Sequence, residues 1–153
     1  MTGRRAFASL VLFVTFFTLC PLFSAHALND GQIVKLINNY RRGVGLKVLK
    51  GSVLLSRSSR LKVTDMIGQG YFGHTNPAGE PFHANFSKAG YTYGQAGEIL
   101  ATGCVSEKCV IDAWLRSPPH RHAMLDPGYR DIGCSSLPAP RSGYYVVCHL
   151  GNR

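Results

Sequence analysis

The hydrophobic rhythm of the chain changes several times, and each change marks an element. In "LNDGQIVKLINNYRRGVGL" the apolar positions Ile33, Leu36, Ile37 and Tyr40 recur at helical spacing. Asn29 or Asp30 supplies a cap ahead of them, and Gly43 and Gly45 supply the stop. "SVLLSRSSRLKVTDMIGQG" predicts a second helix from about Ser52, with Leu54, Ser58, Leu61 and Asp65 on one face and Gly68 and Gly70 at its end. "EPFHANFSKAG" predicts a short third helix closed by Gly90. Ser106 caps a fourth, in which Val110, Ile111, Trp114 and Leu115 make an apolar stripe. Pro118 and Pro119 end that helix, because neither has an amide hydrogen to give. Strands are expected near 92–101, 131–137 and 143–150, which are rich in Tyr, Val and Ile. Helices and antiparallel strands in one short chain, without internal repeats, predict an α+β domain layered around a sheet.

The N-terminus follows another pattern. Arg4 and Arg5 precede the apolar run "AFASLVLFVTFFTLCPLF", and "SAHA" follows it: a charged n-region, an h-region and an A-x-A-like cleavage site. The expectation is a signal peptide over 1–27 and one domain over 28–153. That makes the protein secreted, extracellular or periplasmic, with no transmembrane anchor after cleavage. Retention as an N-terminal anchor competes, since the run approaches the roughly 20 residues that span a bilayer. Pro21 and the small Ala25 and Ala27 favour cleavage, and Leu19 before Cys20 disfavours a lipoprotein signal.

Charge and cysteine content then narrow the partners. Loss of Arg4 and Arg5 leaves 15 Lys+Arg against 8 Asp+Glu, a formal +7. Outside the cell this points to anionic envelope polymers or lipid head groups as counter-charge, and not to nucleic acid. The basic residues Arg41, Arg42, Arg57, Arg60, Lys62, Arg116 and Arg121 are scattered, which a solvated surface also explains. Cys104, Cys109, Cys134 and Cys148 remain, an even set that reads as two disulfides in an exported domain. Of three pairings, Cys104–Cys109 and Cys134–Cys148 are preferred: the first closes "CVSEKC" beside a helix start, the second staples two strands across "PAPRSG". A four-thiolate zinc site is the rival, but neither spacing is C-x2-C.

Four segments carry a resemblance: "NNYRRGVGLKVL", "TDMIGQGYFGHTNPAGEPF", "AGYTYGQAGEILATG" and "AWLRSPPHRHAML". In this order and at these separations, from about Ile33 to Gly151, the chain resembles the CAP superfamily in its short bacterial form. That superfamily groups cysteine-rich secretory proteins, antigen 5 and pathogenesis-related 1 proteins around an SCP-like extracellular domain. The resemblance implies a three-layer α-β-α sandwich with a small antiparallel sheet, and a central cleft holding two histidines and acidic residues. His74 of "YFGH" matches the first histidine, Glu98 of "AGEI" the glutamate, and His120 of "SPPH" the second histidine. The chain departs from the pattern at Ile99, where asparagine is usual, at Pro119, often glycine, and at Ala123, commonly asparagine. Leu115, Arg116 and Ser117 occupy the region where many eukaryotic members carry a further glutamate.

The trio has a chemical logic of its own. Two neutral imidazoles and a carboxylate offer nitrogen and oxygen ligands to a borderline divalent cation, zinc above all, with a fourth position open. Such an ion would lower the pKa of bound water. Without metal, Glu98 could orient one imidazole while the other moves a proton. His74, Glu98 and His120 are therefore the candidate metal, ligand-binding and catalytic residues. The leading expectation is a binding module for a small apolar or lipid-like ligand or an envelope component, with a divalent metal assisting. The rivals are a metal-dependent or His/Glu hydrolase of the peptidase kind, and a protein-interaction module with a vestigial cleft. His122 is expected in solvent, His83 has no motif around it, and His149 is expected in a structural role in the last strand, Ser117 in the turn before Pro118, and Trp114 in the core. Tyr71 and Tyr91 either line the cleft or pack.

Overall fold

The computed structural model describes residues 27–141 and 143–153. The leader expected over 1–27 thus lies outside the described residues, apart from Ala27. Helix α1 (Asp30–Gly43) is capped by Asn29, whose side chain accepts from the Gln32 amide, and it buries Ile33 and Ile37. Strand β1 (Lys50–Gly51) is short. Helix α2 (Val53–Gln69) starts on Ser52, which accepts from the Leu55 amide, and ends on Gly70 in the left-handed conformation. Then come α3 (Ala84–Ala89), β2 (Gln95–Cys104), α4 (Glu107–Arg116), α5 (Pro118–Leu125), β3 (Asp131–Pro138) and β4 (Tyr144–Asn152).

The strands form one sheet in the order β1-β3-β4-β2. Both long pairings, β2 with β4 and β3 with β4, are antiparallel, while the two residues of β1 run parallel to β3. Helices α1, α4 and α5 pack on one face and α2, with α3 behind it, on the other. This is the expected α-β-α sandwich.

Alternation along the central strand explains the burial on both faces. Val146, Cys148 and Leu150 join the larger core with Ile33, Val110 and Trp114, while Val147 faces α2 with Val63 and Met66. Trp114 is core as expected, and its indole N–H donates to the Leu100 carbonyl at 2.8 Å. The disulfides are Cys104–Cys109 and Cys134–Cys148, and the second joins direct cross-strand partners of β3 and β4.

Two local expectations need correction. The face of α2 made by Leu54, Ser58, Leu61 and Asp65 is not the buried one: the buried residues are Leu55, Ser58, Ser59, Lys62, Val63 and Met66, and Leu61 is exposed. Hydrophobicity misleads here because half of the buried face is polar. Pro118 and Pro119 do more than end α4: they are the first residues of α5, where a missing amide hydrogen costs nothing and the fixed φ suits a helix. The end of α5 is held by buried Arg41, which donates to the carbonyls of Lys47, Met124 and Asp126, each at 2.9 Å.

Candidate functional site

Glu98 lies on β2, an outer strand, directly opposite His149 of β4. Both side chains point to the α2 face. There Ser58 and Ser59 of α2 meet the sheet closely because Gly133 on β3 has no side chain. Ser59 donates to the Gly133 carbonyl at 2.8 Å and accepts from the His149 amide at 3.1 Å. Ser58 Oγ lies 2.8 Å from His149 Nδ1, and His149 Nε2 lies 2.9 Å from Glu98 Oε2.

The loop between α2 and α3 brings the next group. "HTNPAGE" folds on Asn76, whose side-chain oxygen accepts from the amides of Ala78 and Glu80 while its amide donates to Glu80. Gly79 takes a left-handed φ of 84° within it, and Thr75 bridges back to Pro81. The ring of His74 is thereby set over Glu98, with Nδ1 at 2.6 Å from Oε1. The His74 side chain is 55% exposed and that of Glu98 is 0% exposed.

Charge states follow from this geometry. Burial works to raise the Glu98 pKa, but hydrogen bonds from His149 and His74, aided by the Lys62 charge, outweigh it and hold the carboxyl below its ordinary range. Burial lowers the pKa of His149 against the pull of Glu98, so its ring is neutral. An ionised carboxylate only accepts, so His149 donates through Nε2 and His74 through Nδ1. The bond to Glu98 engages His74 through Nδ1, and the ring's Nε2 has no hydrogen-bond partner among the described residues.

His120, third residue of α5, is half-buried. Desolvation lowers its pKa first, and the electrostatic influence of His74 lowers it further, so the neutral form of His120 is favoured. The structure thus joins His74 to Glu98 directly, while His120 is close enough for His74 to act on it electrostatically. Among the described residues, no three His, Cys, Asp or Glu side chains converge as one metal-holding group.

His149, expected in a structural role, is fully buried in β4 and completes the surroundings of Glu98. Period-two alternation in "YYVVCHLGN" places it on the α2 face; only the cross-strand register identifies its partner. Lys62 was counted with the scattered surface cations, yet it is buried: it donates to the Tyr71 hydroxyl at 3.1 Å, and Tyr71 donates to Asp65 at 2.5 Å. Burial and that carboxylate push the Tyr71 pKa well up. A hollow of about 160 Å³ opens here, lined by Lys62, Asp65, Tyr71, Asn76, Glu80 and Lys88 among others, with none of the trio in its wall. Tyr91 is packed, its hydroxyl on Asp131 at 2.7 Å. His83 and His122 are exposed, and Ser117 lies at the junction of α4 and α5.

The chain is 38% identical over 105 residues to "Uncharacterized protein YkwD" of Bacillus subtilis (strain 168), covering 68% of this chain and 40% of that protein. It is 27% identical over 105 residues to "Uncharacterized membrane protein YlbC" of the same organism, 69% of this chain and 30% of that one. The chain therefore spans well under half the length of these curated relatives. In fold it is similar to an outer surface protein from Borrelia burgdorferi, with TM-score 0.74 and 24% identity over 81% of this chain and 92% of that one. An extracellular protein containing an SCP domain from Bacillus anthracis str. Ames matches with TM-score 0.73 and 19% identity, over 81% and 40% of the two chains. The profile of the CAP, or cysteine-rich secretory protein, family matches residues 34–150. Matched over most of its length in sequence and built as the same sandwich, the chain belongs to the CAP family.

Proposed function

We propose that this domain is an extracytoplasmic binding module whose recognition centre is the imidazole pair of His74 and His120, backed by Glu98. The observation that carries the reading is the 2.6 Å hydrogen bond from His74 Nδ1 to the buried carboxylate. It commits one ring nitrogen inward and leaves the other free to take a ligand from solvent. Two neutral imidazoles suit a borderline divalent cation such as zinc. A carboxylate behind a ligating histidine is the arrangement that fixes the ring's tautomer and raises its basicity. Glu98 has both oxygens engaged, so it serves as that orienting acceptor and not as a third ligand. A bound ion would supply a Lewis-acidic point to a polar group.

The charged groups of Lys62, Asp65, Glu80 and Lys88 in the wall of the neighbouring hollow support a polar envelope component as partner over a purely apolar one. Two disulfides and the leader pattern support an oxidising, extracytoplasmic setting. Calorimetric titration of the oxidised protein with zinc tests the reading. Wild type should bind at one site, and His74→Ala and His120→Ala should each weaken it roughly tenfold or more. Binding should also weaken as pH falls below about 6.5, since a protonated His120 ring cannot ligate. No binding by wild type, or equal affinity in the variants, overturns the proposal. Peptide or ester turnover that disappears in Glu98→Gln would assign the centre to hydrolysis instead.

A further inference from the structure

Buried polar side chains on α2 have no packing rationale of their own. Ser58 is fully buried on a helix face where an aliphatic residue would pack, and the partner of its hydroxyl is one nitrogen of an equally buried imidazole. That imidazole cannot swing. Its ring lies 4.8 Å from the ring of Phe86 and 5.9 Å from that of Phe82, centroid to centroid. Its backbone amide is tied to Ser59, and its strand position is fixed opposite Glu98.

We infer that Ser58 and His149 are positioning residues for His74: Ser58 and the Glu98 carboxylate hold the His149 ring between them, its Nε2–H fixes that carboxylate, and the carboxylate in turn captures His74 Nδ1. The chain of contacts is continuous, at 2.8, 2.9 and 2.6 Å. Its direction follows from hydrogen-bonding chemistry. If His149 carried its proton on Nδ1, its Nε2 lone pair would face a carboxylate oxygen at 2.9 Å, two acceptors in contact inside the core. The acceptor-only carboxylate therefore selects the Nε2–H tautomer, and the Ser58 hydroxyl completes it by donating to the Nδ1 lone pair. Glu98 then has one oxygen held from behind, and its other oxygen is presented to the loop at a fixed place. The hydrogen bonds of Ser58 and His149 lead to His74 by way of Glu98, so their influence on that ring runs through the carboxylate. The inference rests on the reading of His74 as the group that presents Nε2 to a ligand.

Nitrogen-resolved spectra of the histidine rings in metal-free, oxidised protein at one neutral pH test it. In wild type the His74 ring should be held with the proton on Nδ1. His149→Leu removes the donor to Glu98, and the His74 tautomer ratio should shift roughly tenfold toward Nε2–H, the scale of one hydrogen bond. His149→Gln, whose amide can donate to Glu98 and accept from Ser58, should restore the wild-type pattern. Ser58→Ala should move the signals of His149 and His74 together. Unchanged His74 signals in folded His149→Leu, or in Ser58→Ala should the leucine variant not fold, overturn the inference. Because the readout needs no zinc, a failure of this relay and a failure of metal binding are separate results.

Discussion

At Gly133 a side chain would have no place to go. A Cβ built there would sit 2.0 Å from the Ser56 amide nitrogen and 2.4 Å from the Leu55 carbonyl carbon, both of them backbone. The consequence reaches the site, because the approach of α2 to β3 is what lets Ser59 bond the Gly133 carbonyl and Ser58 reach His149. Gly133→Ala should therefore push α2 off the sheet, at a cost of about 3 kcal/mol, the upper range for overpacking. Urea unfolding would register it, and the His149 ring signals should shift at the same time. A wild-type midpoint for this variant would show that the helix yields freely. Glycine here is readable in the sequence only as a residue type, since the clash that requires it comes from a helix far earlier in the chain.

Elements show where local signals were sufficient. The cap at Asn29, the start of α2 on Ser52, its end at Gly70 and the cap at Ser106 all stand where local chemistry places them. The face of α2 did not, since Ser58, Ser59 and Lys62 are buried for hydrogen bonding and not for hydrophobicity. The disulfides act at this scale too. Cys104–Cys109 spans five positions beside the start of α4, and Cys134–Cys148 spans 14 between paired strands. Chain-entropy scaling puts their removal at about 2 and about 3 kcal/mol as ceilings. Paired Cys→Ala variants, compared by thermal unfolding, should lose more at 134 and 148 than at 104 and 109. The reverse order would mean that strain or residual unfolded structure dominates over loop length.

For the whole molecule, the buried polar cluster predicts sensitivity to acid. The folded state lowers the pKa values of His149, His120 and Glu98, so the unfolded chain binds more protons than the native one on the acid side. The histidine contributions are complete above their unfolded value of 6.5 and are lost as pH falls below it. The Glu98 contribution is complete above 4.5 and is lost as pH falls through its lower folded value. Stability should be level above about 7 and then decline, each group adding at most about 1.4 kcal/mol per pH unit. His149→Gln should make the decline between about 6.5 and about 5 shallower while leaving the part due to Glu98. Denaturant melts across that range decide it, and an unaltered slope would remove His149 as a source of acid lability.

What the sequence determined by itself was local or recurrent. Helix caps, periodicity, cysteine pairing and the four motif segments led to the α-β-α sandwich and to His74, Glu98 and His120 as candidates. These signals need only neighbours within a few residues, or a pattern repeated along the chain. The tertiary structure decided what those candidates touch. That His149 is the cross-strand partner of Glu98 and that Ser58 stands behind it depend on strand register and on how closely a helix lies on a sheet. Register and close approach are set by contacts among residues far apart in sequence, and no single stretch of the chain carries that information.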